Sequence, residues 1–311
     1  MHLPAGLIAT VHRLHGDHGR TWIADLPGLV AACAEQWQIV LDASFESASH
    51  SFVAPGIRSD GRAVVLKVVP PTDDGYTWEE AALRCYAGRG AARLLASAVD
   101  HRALLLERAV PGEPMSCRVH ERREDDTLLA AARVMGRLWR AGDDGVLPDV
   151  PRIEADLDVL ARNGGRHGEA AGMPAPSLRE RAEAAARELV RSAPPPVLIH
   201  GDLHHDNLLS SGDAEWLAID PKGRLGERAY EVAALVRNPL ADLLRTADLR
   251  ARLTRRVDVL SEALQLERER ILGWSFVMAV VAACWALEDR DDTWTGWHEV
   301  AATLAAIHGT P

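Results

Sequence analysis

Apolar spacing in this chain changes character once, at Pro111-Gly112, from the alternation of strands to the 3.6-residue recurrence of helices. Few folds tolerate that order, because a β-rich front and a helical rear must each bury a face of their own. In the front, 21–37 reads as an amphipathic helix through Trp22, Leu26, Leu29, Val30 and Cys33, and the QIVL that follows it reads as a short strand. Runs 51–57 and 63–69 flank a Ser-Asp-Gly turn and predict a hairpin. A helix over 77–90, with acidic residues in its first turn, leads to a second hairpin from 92–100 and 102–110. In the rear, helices are expected at 124–141, 152–162, 178–192, 228–247, 249–264 and 267–288, with strands only at 196–200 and 215–220. The Gly- and Pro-rich stretch 163–176 reads as a loop. The expected fold is α+β and bilobal: a front lobe, 1–108, and a helical rear lobe, 109–311, with a cleft between them.

Composition narrows the partners. A net charge of -10 repels polyanions and attracts cations, so a cationic small molecule is expected and nucleic acid is not. Four scattered cysteines without a CxxC pair fit buried free thiols in a reducing compartment. The first twenty residues lack the apolar core of a signal peptide, and the longest apolar run, 276–287, is shorter than the ~20 residues a bilayer needs. A cytoplasmic protein without a membrane partner, monomeric or dimeric, is the expectation.

Of 35 basic residues, all but Lys67 and Lys222 are arginine. Lys67 lies in AVVLKVV, where a buried cation needs a carboxylate or a ligand phosphate, unless the strand is an edge and the ammonium meets solvent. Glu79 and Glu80, at the start of the next helix, are the candidates to meet it.

HGDLHHDNLL at 200–209 is the densest cluster of reactive side chains. His200 closes a strand rather than sitting on a helix beside a second ligand, which disfavours a histidine zinc site. Asp202 and Asn207 have the spacing D-x4-N, and Asp220 ends the next strand 13 residues on, in AIDPKG. A carboxylate to accept a hydroxyl proton, plus an amide and a second carboxylate as hard oxygen ligands, is the set that in-line phosphoryl transfer from magnesium ATP requires.

Taken with the upstream strand lysine, these residues resemble the aminoglycoside phosphotransferase family, a branch of the protein-kinase-like fold, with glycine in HGD where protein kinases have arginine. The likeness extends over nearly the whole chain. It is strongest toward the streptomycin 6-phosphotransferase and hydroxyurea phosphotransferase group, through GRGAARLL, ALLLERAVPG, WLAIDPKGRLGERAYEVAALVRNP and AACWALEDRDD. The resemblance implies ATP and Mg2+ as cofactors. Lys67 would contact the phosphates and Glu79, or else Glu80, would pair with it. Asp202 would be catalytic, Asn207 and Asp220 would hold the metal, and Glu107 to Ala109 would form the hinge that recognises adenine. It implies phosphorylation of an aminoglycoside, streptomycin at its 6-hydroxyl, and hence antibiotic resistance. One departure stands out: ASFESASHSF at 43–52, where a Gly-rich phosphate loop belongs, contains no glycine.

GRGAAR at 88–93 lacks the third glycine of a dinucleotide fingerprint and follows a helix, and no P-loop is present. Glu288, Asp289, Asp291 and Asp292 would either bind ammonium or guanidinium groups of a substrate or form a solvated helix end. Trp285 and Trp294 nearby would stack on a substrate or pack the core, and Glu227, Tyr230 and Glu231 read as architectural. A kinase of another small metabolite and a catalytically idle nucleotide-binding module are the rival readings.

Overall fold

The computed structural model describes residues 2–119, 123–141, 147–166, 176–212 and 215–309. Helix α1 (Ala5–Trp37) precedes strands β1 (Ile39–Leu41), β2 (Phe52–Arg58) and β3 (Ala63–Val68), helix α2 (Gly75–Tyr86), and strands β4 (Leu94–Ala98) and β5 (Ala103–Glu107). The five strands form one antiparallel sheet in the order β1-β2-β3-β5-β4. Lys67 is therefore on the central strand, opposite Val53 on one side and Leu104 on the other, and the edge-strand reading is excluded.

Alternation along β3 and β5 decides what each face meets. Val64, Leu66, Val68, Ala103 and Leu105 point at α1 and pack on its Leu7, Val11, Trp22, Leu26, Val30 and Cys33. Val65, Leu104 and Leu106 join Tyr76, Leu83 and Tyr86 of α2 and the core of the rear lobe. Full burial of a Leu such as Leu66 or Leu105 contributes roughly 1.5–3 kcal/mol. Lys67, in phase with Val65, thus faces α2. Helix α1 begins sixteen residues before the expected start at 21, because Leu7 and Val11 extend the same stripe across a kink at Gly16 (φ 54°). The first turn of α2 holds no acidic residue: the helix starts at Gly75, which moves Glu79 to its fifth position.

Beyond β5 the chain forms β6 (Pro111–Pro114), α3 (Glu124–Ala141), α4 (Glu154–Arg166), α5 (Pro176–Arg191), β7 (Val197–Ile199), β8 (Leu208–Ser211), β9 (Glu215–Ala218) and β10 (Arg224–Gly226). Helices α6 (Arg228–Arg237), α7 (Leu240–Leu243), α8 (Leu249–Leu264), α9 (Arg268–Glu288) and α10 (Trp294–Ile307) complete it. Strands β6, β8 and β10 and helix α10 were not expected from the sequence. The strands are three or four residues long, and only their partners define them. The helix expected at 228–247 breaks after Arg237, where Pro239 lacks the N–H and the room that continuation requires. Within 163–176, residues 163–166 finish α4, and 167–175 lie outside the described residues. Helix α9 is long and apolar enough to cross a bilayer by composition, but it is largely buried as the central helix of the rear lobe, against α5, α6 and α10. Cys117 is exposed, contrary to the expectation of buried thiols, while Cys33 and Cys284 are buried.

Candidate active site

Two small antiparallel strand pairs build the site. Strand β8 pairs with β9 in the register Leu208 to Ala218, so Asn207 before one strand and Asp220 after the other emerge side by side, and the Ile219 N–H donates to the Asn207 carbonyl at 3.0 Å. Strand β7 pairs with β10 and delivers His200, Gly201 and Asp202 to the same end. His200 welds the two strand pairs. Its Nε2 lies 2.8 Å from the Ile219 carbonyl, its Nδ1 accepts from the Asp202 N–H at 3.3 Å, and its own carbonyl accepts from Lys222 and Gly223. That pattern suits the neutral ring, and burial pushes its pKa down to about 4.

The Asp202 carbonyl accepts from Nδ2 of Asn207 at 2.9 Å, which fixes the amide and leaves its Oδ1 as an acceptor. The Asp202 carboxylate remains one-third exposed, with His204 Nε2 at 3.9 Å. Asp220 holds a left-handed backbone (φ 57°), a strained conformation that asparagine and aspartate tolerate better than most residues.

Lys67 reaches both neighbouring acids. Its Nζ is 2.5 Å from Oε2 of Glu79 and 2.5 Å from Oδ1 of Asp220. Glu79 is thereby the partner, while Glu80 turns away to Arg84 and Ser97. Burial alone would lower the lysine pKa, but Asp220 and then Glu79 hold it above its ordinary range. Asp220, opposed by burial, is held well below the usual carboxylate range by Lys67 and Lys222. Lys222 lies 3.2 Å from its second oxygen, Oδ2.

Behind this group, Glu231 of α6 accepts the backbone N–H groups of His200 at 2.7 Å and Gly201 at 3.1 Å. Tyr230 donates to Asp156 of α4, and Glu227 accepts from Arg270 and Trp274 of α9, so both tie α6 to neighbouring helices, an architectural part. Gly223 (φ 58°) approaches α2 so closely that a Cβ would stand 2.7 Å from the Trp78 carbonyl oxygen. Arg224 stacks on the Trp78 ring at 5.0 Å and binds Asp156. The Asp220 loop thus docks directly on the helix that carries Glu79.

Glu107 ends β5, its carboxylate accepting the Arg93 N–H at 3.2 Å, and Ala109 is buried in the connection to β6. His204 caps the short turn at 205–207, but His205 faces inward, fully buried, with neither ring nitrogen hydrogen-bonded. At the rear corner, Asp289 pairs with Arg13 of α1 at 2.5 Å, Glu288 lies 3.6 Å from Arg162, and Asp291 accepts the Thr293 N–H at the start of α10. His50, in the glycine-free loop, escaped notice in the sequence. It lies within the field of Lys222, Asp220, Asp73 and Arg13, and burial followed by Lys222 lowers its pKa.

A concavity of about 670 Å³ elsewhere, lined by Ser192, Pro194, Glu227 and Arg270, is a weaker candidate, because its one buried acid is already neutralised. The donor set at Asn207 and Asp220 fits magnesium. Two hard oxygens, completed by phosphate and water, are what that ion takes from a protein.

The profile of the aminoglycoside/hydroxyurea antibiotic resistance kinase family matches residues 36–290. The chain is 30% identical over 297 residues to the streptomycin 6-kinase of Streptomyces griseus, covering 93% of this chain and 92% of that one. It is 33% identical over 262 residues to the streptomycin 3''-kinase of Klebsiella pneumoniae, covering 82% and 91%. Its fold matches that of an aminoglycoside phosphotransferase crystallised with ADP and hygromycin B, with a TM-score of 0.62, 14% identity, and 90% and 98% of the two chains covered.

Proposed function

Because this chain belongs to the aminoglycoside/hydroxyurea antibiotic resistance kinases, small-molecule kinases with a protein-kinase-like fold, we propose that it transfers the γ-phosphoryl group of ATP to a hydroxyl of streptomycin, the 6-hydroxyl. The observation that carries this reading is the Lys67 ammonium held between Glu79 and Asp220, within a cluster that also presents Asp202 and Asn207.

The roles follow from the chemistry of each group. Lys67 offers a permanently charged donor to the phosphates, and Glu79 keeps it pointed out of β3. The backbone from Glu107 to Ala109 meets the adenine. Asn207 and Asp220 hold Mg2+, which when bound neutralises phosphate charge as the P–O bond breaks. Asp202, still open to solvent, orients the acceptor hydroxyl and takes its proton as the new O–P bond forms. Glu288, Asp289, Asp291 and Asp292 form an acidic corner suited to the guanidinium groups of the acceptor.

The test is ADP release from purified protein with magnesium ATP across streptomycin, other aminoglycosides, amino sugars and hydroxyurea, with the phosphorylated position read by NMR. Stimulation by streptomycin alone, with phosphate on the 6-hydroxyl, is expected. Stimulation only by another compound, or phosphate at another hydroxyl, sinks the acceptor assignment and leaves the kinase class standing.

A further inference from the structure

Lys222 is the second of the chain's two lysines, and the roles above leave it without a task. It is placed with care. Its backbone N–H donates to the His200 carbonyl at 2.8 Å, which ties it to the turn carrying Asp202. Gly201 in that turn has φ 86°, and a Cβ there would stand 2.9 Å from the Arg224 Cγ and 3.4 Å from the Lys222 Cβ. The missing side chain of HGD thus leaves room for the close approach of Arg224 and of the Lys222 Cβ. Its ammonium ends 3.2 Å from Oδ2 of Asp220, and the charges of Asp202 and Glu79 also act on it.

Asp220 therefore carries a cation on each oxygen, Lys67 on Oδ1 and Lys222 on Oδ2. Lys67 is buried, flanked by two strands and anchored by Glu79 as well, whereas the Lys222 side chain is 45% exposed on a flexible stem. When a divalent cation binds at Asp220, like-charge repulsion moves the freer of the two ammonium groups. Within reach of its fixed Cα lies the ground beside Asp202, where the phosphoryl group must pass.

We propose that Lys222 is a further catalytic residue of this kinase, its ammonium moving from Asp220 to the equatorial oxygens of the γ-phosphoryl as that group passes to the acceptor. The inference rests on the phosphotransfer reading above. In the step, the acceptor oxygen bonds to phosphorus, the bond to the β-phosphate oxygen breaks, ADP keeps that electron pair, and the hydroxyl proton goes to Asp202. Lys222 gives up no proton and balances charge only, as cationic side chains do at transferring phosphoryl groups. The competing role is a tether that holds Asp220 in its left-handed backbone. A tether would matter equally in every nucleotide complex.

Calorimetry with Mg-ADP, with and without aluminium fluoride as the transition-state mimic, separates the two in the parent, Lys222→Met and Lys222→Arg. The parent should bind the fluoride complex about 100-fold more tightly than Mg-ADP alone. Lys222→Met should keep Mg-ADP affinity within about threefold while losing at least about tenfold of that tightening, and Lys222→Arg should recover part of it. Basal ADP release should fall about 100-fold or more in Lys222→Met. Retained tightening in Lys222→Met, or an equal loss of affinity for both complexes, overturns the role for Lys222 alone. A parent that binds no Mg-ADP overturns the phosphotransfer reading, and this inference with it.

Discussion

Lys67 and Asp220, 153 positions apart in the chain, meet at 2.5 Å, and through that contact the front sheet is joined to the hairpin of the rear lobe. The sheet supplies the cation and the hairpin supplies the anion. The cation is not comfortable alone, since Lys67 is buried, whereas Asp220 is only partly withdrawn from water.

Removal of the cation should therefore be felt twice. Lys67→Met leaves the buried Glu79 without its cation and facing Asp220, so unfolding free energy should fall by about 3–5 kcal/mol in denaturant titrations. The same variant should lose the thermal shift that Mg-ATP confers on the parent. A variant as stable as the parent, or one that keeps a full Mg-ATP shift, would contradict the central placement of this residue.

Gly223 and Gly212 form a natural pair of controls. Both have φ 58°, but a Cβ at Gly212 meets nothing within 4 Å among the described residues, whereas at Gly223 it would collide with the Trp78 carbonyl. Gly212→Ala should cost about 1 kcal/mol, the penalty of left-handed backbone alone. Gly223→Ala should cost roughly 1–3 kcal/mol more and weaken Mg-ATP binding, because α2 must shift and take Glu79 with it. Equal losses in the two variants would show that the Asp220 loop does not set the position of α2.

How much of this was legible in the sequence depended on where the constraint lay. Lys67 was readable because a lone lysine among Val and Leu residues violates strand composition, and D-x4-N was readable because both residues sit on one short loop. Central placement of Lys67 and the choice of Glu79 over Glu80 were not, since sheet order and helix phase are set by contacts distant in the chain. The first turns of α1 were hidden by His12, Arg13, His15 and Gly16, although Leu7 and Val11 already carried its stripe. The burial of His205 was not readable, since nothing in the residue type calls for it. Burial instead follows from the tight turn at 205–207, which turns it inward while Asn207 is held by Asp202.

The ion pair between Arg13 and Asp289 bears on substrate recognition. Both side chains are about half exposed, so the pair is worth at most about 1 kcal/mol, and Arg13→Ser should leave the melting temperature nearly unchanged. If the acidic corner receives a guanidinium from the acceptor, Arg13 competes with it. The variant should then lower KM for streptomycin by up to about fivefold, with kcat and the KM for ATP unaltered. An unchanged or raised KM would remove Asp289 from the acceptor site.

The pH dependence of stability should report the buried ring of His200. In the folded protein it stays neutral down to about pH 4, whereas the unfolded chain takes up its proton near the ordinary value of 6.5. The unfolded state therefore binds more protons between these values, and stability falls as pH falls through that window, by at most roughly 1.4 kcal/mol per pH unit. Above 6.5 the contribution is complete, and below 4 nothing more is lost. Glu231, whose carboxyl is pushed up to about 7 by burial, acts in the opposite sense, so the parent curve alone mixes the two. His200→Gln isolates the ring: its amide can still reach the Ile219 carbonyl, it does not titrate, and Glu231 remains. The variant should be less stable than the parent at pH 7.5, and the gap should narrow steadily from pH 6.5 to 4.5 in urea titrations. A gap that stays constant over this range would mean that the folded ring takes up its proton as readily as the unfolded chain does, so that burial does not hold it neutral.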